Sequence, residues 1–141
     1  DEIKTNAIST IALLTEISNR FVNNKSGIIA VISSVSGDRG RASNYVYGSA
    51  KAMVSTFTSG LRQRLNKYNV SVVTIKPGFV DTPMTKNMKK GLLWAKPSAV
   101  AAKIVSGIEN RKDEIYVPSF WRVIMFFIKL IPNFVFKKIH L

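Results

Sequence analysis

Residues 28–51 read IIAVISSVSGDRGRASNYVYGSAK, and the fold class follows from this stretch. Ile28–Ile32 is a continuous apolar run rich in β-branched residues, the composition of a strand buried on both faces of a parallel sheet. Ser33 and Ser34 follow, and 33–43 is a loop rich in Gly, Ser and charge. From about Asn44 to Lys67 the apolar residues fall at helical spacing, among them Tyr47, Met53, Val54, Phe57, Leu61 and Leu65. Arg62, Arg64 and Lys67 gather at the end of that helix, where positive charge suits the helix dipole. Val70–Ile75 is a second β-branched run, and Pro77-Gly78 stops it. Strand, helix, strand in this order implies a parallel pair joined by a right-handed crossover.

Upstream, residues 2–22 place Ile3, Ala7, Ile8, Ile11, Leu14, Ile17 and Val22 on an amphipathic helix, ended by the turn-forming Asn23–Gly27. Asn6 falls within this helix, where an Asn ordinarily makes a structural hydrogen bond. Downstream, 81–95 reads as irregular. Ser98 is a candidate N-cap for a helix from Ala99 to about Asn110, and Ile115–Val117 reads as a short third strand. The C-terminal stretch FWRVIMFFIKLI (120–131) is very apolar but carries Arg122 and Lys129. It falls short of the ~20 apolar residues that span a bilayer, and Pro132 breaks it. Aromatic and basic residues on a short amphipathic segment suit a membrane interface. A helix that closes a substrate pocket or forms a dimer contact has the same pattern.

The 141 residues suffice for one domain with a core. No cysteine is present, so disulfides and thiolate metal sites are excluded. The single histidine, His140, leaves no His metal cluster and no Ser-His-Asp triad. A formal charge of +13 favours anionic surfaces or phosphorylated ligands. The Lys and Arg residues are scattered, however, and no nucleic-acid-binding motif accompanies them. A cytoplasmic protein from a basic proteome has the same balance.

Chemistry concentrates at Tyr47 and Lys51, which share one helical face at i, i+4. A free tyrosine has a pKa of roughly 10, and a nearby ammonium is expected to lower it. Such a pair is a proton donor for a ketone. A serine hydroxyl beside it would hold the substrate oxygen, and Ser34 lies at the carboxyl end of a strand, where open parallel sheets place ligands. A Tyr-x-x-x-Lys spacing alone is common on helices. It gains meaning from the strand, the Ser pair, the loop, the second strand and the Pro-Gly stop.

That combination resembles the short-chain dehydrogenase/reductase family over nearly the whole chain. The resemblance implies an α/β fold: the C-terminal part of a Rossmann-like three-layer parallel-sheet domain, with the N-terminal dinucleotide-binding half missing. It divides the chain into a catalytic part, 1–119, and an apolar, basic tail, 120–141. Asn6, Ser34, Tyr47 and Lys51 match the family's catalytic residues, and Tyr45 is set aside because no Lys lies four residues on. Asn6 would hold a water in a proton relay, Ser34 would orient substrate, Tyr47 would be the general acid/base, and Lys51 would bind the nicotinamide ribose. In IKPGFVDTPM, Pro77 and Gly78 would line the nicotinamide and Val80 and Thr82 contact its carboxamide. The implied cofactor is NADP or NAD, the substrate a small-molecule or lipid-linked carbonyl, and the assembly a homo-oligomer packed through the helices at 2–22 and 44–67. No metal and no nucleic acid are implied.

The family's Gly-rich pyrophosphate turn and its N-N-A-G segment belong ahead of residue 1. The chain by itself is therefore expected neither to bind cofactor nor to turn over, and to self-associate through the open edge of Ile28–Ile32. SGDRGRASNYVYGSAK, KPGFVDTPMT and the tail YVPSFWRVIMFFIKLIPNFVFKKI look like the decaprenylphosphoryl-2-keto-ribose reductase branch. That implies a keto sugar on a polyprenyl phosphate, used in cell wall precursor synthesis in the cytoplasm with peripheral contact at the inner membrane face. A reductase of another hydrophobic ketone and a non-catalytic membrane-associated module remain as other readings.

Overall fold

Strand β2 (Val70–Pro77) is the centre of a three-stranded parallel sheet, with β1 (Gly27–Ile32) on one side and β5 (Glu114–Val117) on the other. The computed structural model describes residues 1–87 and 89–139; Met88, His140 and Leu141 lie outside the described residues. The register runs from Gly27 opposite Val70 to Ile32 opposite Ile75, and from Thr74 opposite Glu114 to Pro77 opposite Val117. The ladder outlasts the apolar run: Ser33 N–H donates to the Ile75 carbonyl at 2.7 Å, and Gly78 N–H to the Val117 carbonyl at 2.9 Å.

Helices α1 (Ser9–Asn24) and α2 (Tyr45–Asn66) cover one face. There Leu14, Val54, Leu61 and Leu65 pack on Ile29, Val31, Val70 and Val72. Helix α3 (Pro97–Glu109) covers the other face, where Val100 and Ile104 meet Val73, Ile75, Ile115 and Val117. The alternation along β2 is what makes it a two-sided core strand. The result is the three-layer α/β arrangement expected from the sequence.

Strand β1 departs from expectation. Ile29 and Val31 are buried, but Ala30 is exposed and Ile32 is 60% exposed. The cause is that α3 lies over β2 and β5, and among the described residues Ile28 is the residue of β1 that joins the cluster beneath it. Among the described residues β1 pairs with β2 alone. The stretch 81–95 is also more regular than its sequence suggests. Phe79–Val80 (β3) and Trp94–Ala95 (β4) form a parallel pair, and the Phe79 and Trp94 rings stack at 5.4 Å. Between them Pro83–Thr85 makes a 3-10 turn. Ser98 does not cap α3: Pro97 takes the first helical position, its fixed φ suited to that place, and Lys96 occupies the N-cap without a side-chain hydrogen bond. The tail folds as α4 (Phe120–Leu130) and, after Pro132, a short α5 (Asn133–Phe136).

A charged cluster fastens the loop after β1 to the sheet. The Lys76 ammonium lies 2.9 Å from Asp38 Oδ1 and 3.2 Å from Glu114 Oε1, with the Lys76 and Asp38 side chains 7% and 4% exposed. The Tyr116 hydroxyl donates to Asp38 Oδ2 at 2.6 Å. Burial works against the Lys76 charge, but the hydrogen bond and charge of Asp38, with Tyr116 and Glu114, outweigh it and push its pKa up to about 12. Burial and the Asp38 carboxylate push Tyr116 up to about 12 as well. Both groups hold their protons more tightly folded than unfolded. The stabilisation is therefore complete below pH ~10, where the unfolded groups keep their protons. It falls as pH rises through about 12. Asp38→Asn is expected to cost on the order of 3 kcal/mol in urea unfolding at neutral pH and to flatten the alkaline loss of stability between pH 9 and 12.

Candidate active site

The site forms at the carboxyl ends of β1 and β2, where the chain leaves the sheet at Ser33-Ser34 and at Pro77-Gly78. The two serines divide the work. Ser33 turns inward: its Oγ donates to the Lys51 carbonyl at 3.0 Å and lies 2.7 Å from Ser55 Oγ. Ser34 caps the 3-10 turn Val35–Gly37, its Oγ accepting from Ser36 N–H at 3.1 Å, and its hydroxyl acts on the Tyr47 phenol. The turn sits directly on α2. A Cβ on Gly37 would stand 2.7 Å from the Lys51 carbonyl carbon, so only glycine permits this approach. The turn and the helix are thereby held at the spacing that sets Ser34 against Tyr47.

Tyr47 and Lys51 are both half-buried, with the Lys51 ammonium 5.6 Å from the centroid of the Tyr47 ring. Among the described residues the hydrogen bond of the Lys51 ammonium is long, 3.4 Å to the Ile32 carbonyl. Burial raises the Tyr47 pKa; the Ser34 hydrogen bond pulls it down and the Glu2 carboxylate raises it further, so it stands above the usual tyrosine value. Lys51 is lowered by burial, with Glu2 opposing. The expected lowering of Tyr47 by Lys51 is thus not found in this chain: desolvation disfavours the phenolate and the nearby carboxylate adds to it. A protonated Tyr47 at neutral pH is a donor, the state needed to protonate a carbonyl oxygen.

Asn6 lies in a π-helical turn, Lys4–Ile8, that precedes α1 and packs against α2. Its amide donates to Glu2 Oε1 at 2.8 Å, which is the local structural bond its position suggested. Glu2 in turn acts electrostatically on Tyr47 and Lys51. Ser34, Tyr47 and Lys51 thus come together, and Asn6 is linked to them through Glu2. Pro77, Gly78, Val80 and Thr82 lie along the exit from β2. Thr85, which the sequence did not single out, binds two of them: its hydroxyl donates to the Val80 carbonyl at 2.7 Å and accepts from the Thr82 N–H at 3.1 Å.

Sequence reasoning also missed Glu2 and the Asp38–Lys76–Tyr116 cluster. A lysine as the one charged residue of the strand VSVVTIKP was the available signal for the cluster, since buried lysines need a carboxylate. The half-buried ammonium of Lys51, which among the described residues keeps donors to spare, fits a ribose diol, so the residues present suit the nicotinamide-ribose end of a dinucleotide. Among the described residues no group of His, Cys, Asp and Glu is arranged to hold a metal ion.

Residues 1–92 match the family model described as short chain dehydrogenase. The chain belongs to the short-chain dehydrogenase family. An uncharacterized oxidoreductase of Mycobacterium tuberculosis is 35% identical over 136 residues, covering 96% of this chain and 55% of that protein. A 3-oxoacyl-[acyl-carrier-protein] reductase of Chlamydia trachomatis is 34% identical over 90 residues, 64% of this chain and 36% of that protein. Among solved structures, a short-chain dehydrogenase from Burkholderia cenocepacia in complex with NADP superimposes with a TM-score of 0.81. It is 21% identical, and the match covers 91% of this chain and 54% of that one. The chain spans about half the length of the curated relatives it matches first.

The electrostatics of Tyr47 can be read directly. In a spectrophotometric titration, the difference between the chain and its Tyr47→Phe variant should place Tyr47 above an exposed tyrosine, and Glu2→Gln should move it down. A Tyr47 that titrates below the ordinary tyrosine value would contradict the burial argument.

Proposed function

We propose that this chain carries the catalytic centre of an NAD(P)-dependent oxidoreductase that transfers a hydride between a nicotinamide and a carbonyl or alcohol. The observation that carries the reading is the placement of Tyr47 and Lys51 on one face of α2, the ammonium 5.6 Å from the Tyr47 ring, with the turn that follows Ser34 seated on that helix at the carboxyl end of a parallel sheet. The cofactor, NADP or NAD, would supply or accept the hydride. Ser34 orients the substrate oxygen, Tyr47 gives it a proton or removes one, and Lys51 holds the nicotinamide ribose. Asn6 keeps a water in the relay that reprotonates Tyr47. Pro77 and Gly78 line the nicotinamide, and Val80 and Thr82 meet its carboxamide. In this reading 1–119 is the catalytic part and 120–141 the tail. The assembly is a homo-oligomer through α1 and α2, whose Leu13 and Met53 are exposed.

For substrate we favour a keto sugar on a lipid carrier. Helix α4 buries Trp121 and Met125 but exposes Phe120, Val123, Phe126, Phe127 and Leu130, with Arg122 and Lys129 beside them. No helix among the described residues is long and apolar enough to cross a membrane. An exposed aromatic face edged by cations suits the interface instead. The reading places the enzyme in the cytoplasm, at the inner membrane face, in cell wall precursor synthesis. The likeness to a 3-oxoacyl carrier reductase favours a second substrate class, an acyl or other hydrophobic ketone.

In the full-length protein, Tyr47→Phe should lower turnover by at least about a thousandfold, in the range of general acid–base loss, with the circular dichroism unchanged; wild-type turnover in that variant would reject the mechanism. Nicotinamide oxidation compared on a polyprenyl-phosphate keto sugar and on a 3-oxoacyl thioester separates the two substrates. Co-sedimentation with phosphatidylglycerol vesicles should be strong at low salt and weaken as salt rises. Equal recovery with and without vesicles would remove the interfacial role of the tail.

A further inference from the structure

Arg39 follows Asp38, and its side chain runs the opposite way. Its Nη1 donates to the main-chain carbonyls of Ile128 at 2.7 Å, Lys129 at 3.1 Å and Ile131 at 2.6 Å. Its Nη2 donates to Asn133 Oδ1 at 3.0 Å, and its guanidinium lies 3.9 Å from the centroid of the Phe136 ring. The last carbonyls of a helix lack intrahelical partners. Arg39 supplies donors to those of α4 from a loop about 90 residues earlier. Only a guanidinium combines a fork of donors with a flat face for an aromatic ring.

The two neighbours therefore tie one turn to two bodies: Asp38 to β2 and β5, Arg39 to the junction of α4 and α5. The inner side of α4 completes the joint. Trp121 and Met125 bury against Val35, the residue after Ser34, with Phe79 and Tyr116 around them. A Cβ on Gly78 would meet the Trp121 indole nitrogen at 1.9 Å, so the helix also rests on the Pro77–Val80 exit. The tail thus touches both chain segments that leave the sheet at the candidate site.

We propose that Arg39 is a positioning residue: it locks the tail and the Ser34–Asp38 turn into one unit, so that the pose of the tail sets where Ser34 holds the substrate oxygen. The catalytic part of this inference rests on the reductase reading; the mechanical part does not. The tail is then a wall of the substrate side, and Arg39 grips it at 128–136, at the opposite end of α4 from the Trp121–Gly78 contact that borders the cofactor side.

Hydrogen exchange by mass spectrometry on the full-length protein tests the lock. Arg39→Ala should speed amide exchange about tenfold or more in 35–39 and in 128–136 together, with Val70–Ile75 unchanged. Arg39→Lys should restore neither segment fully. Phe136→Leu, a change in the tail alone, should loosen 35–39 as well, as reciprocal coupling requires. Faster exchange confined to the tail, or spread equally into β2, would overturn the proposal, because Arg39 would then only cap a helix or support the whole fold. In the reductase assay, Arg39→Ala should raise the KM for the carbonyl substrate about tenfold and leave the KM for the nicotinamide unchanged. Unchanged carbonyl KM would overturn the positioning role. If the wild-type protein reduces no carbonyl, the reductase reading fails and the exchange results still decide the lock.

Discussion

The ion pair between Lys76 and Asp38 is the contact on which the candidate site depends. Both side chains are less than a tenth exposed, and an unpaired charge at either place would be costly. The pair is completed by Tyr116 and Glu114, so three elements meet at one point: the turn after β1, the central strand β2 and the edge strand β5. It is the contact that ties the turn after Ser34 to both β2 and β5. With it, Ser34 has a fixed origin from which to face Tyr47.

Around that anchor the site is assembled from two kinds of constraint. Steric closeness does one part. Gly37 lets the turn sit on the backbone of α2 at Lys51, and Ser33 fills the inner position, hydrogen-bonded to the same carbonyl and to Ser55. Electrostatics does the other. Tyr47 and Lys51 share a half-buried setting in which burial disfavours the charged form of each, and Glu2 favours protonation of both. The phenol is therefore kept protonated, and among the described residues the ammonium keeps donors unused. The tail is attached to the same turn through Arg39 and Trp121, so a segment that looks peripheral in the chain is central to the site.

Much of the layout was legible in the sequence because it depends on local patterns. The β-branched runs, the amphipathic helices 2–22 and 44–67 and the i, i+4 Tyr47–Lys51 pair are properties of short windows, and each recurs in the structure within a few residues. The expectations that failed depended on neighbours. Ile28–Ile32 has the composition of a two-sided core strand, yet only the α1–α2 layer covers it fully. Ser98 has the chemistry of an N-cap, but the helix starts at Pro97, two residues earlier than expected. The pKa of Tyr47 depends on how deeply α2 is buried and on a carboxylate from the start of the chain, neither of which a spacing rule contains.

The sequence by itself determined the order of elements, the class of fold and the residues that meet on one face of α2, because periodicity and turn chemistry act over a few residues. The choice of Ser34 came with the resemblance to the family's motif, not from spacing. Only the tertiary structure decided what Asp38 and Arg39 do. Adjacent in the chain, they bind partners 38 and about 90 residues away, on opposite sides of one turn. Long-range contacts of this kind leave no period in the sequence, since what selects them is the closing of the sheet and the tail around the turn.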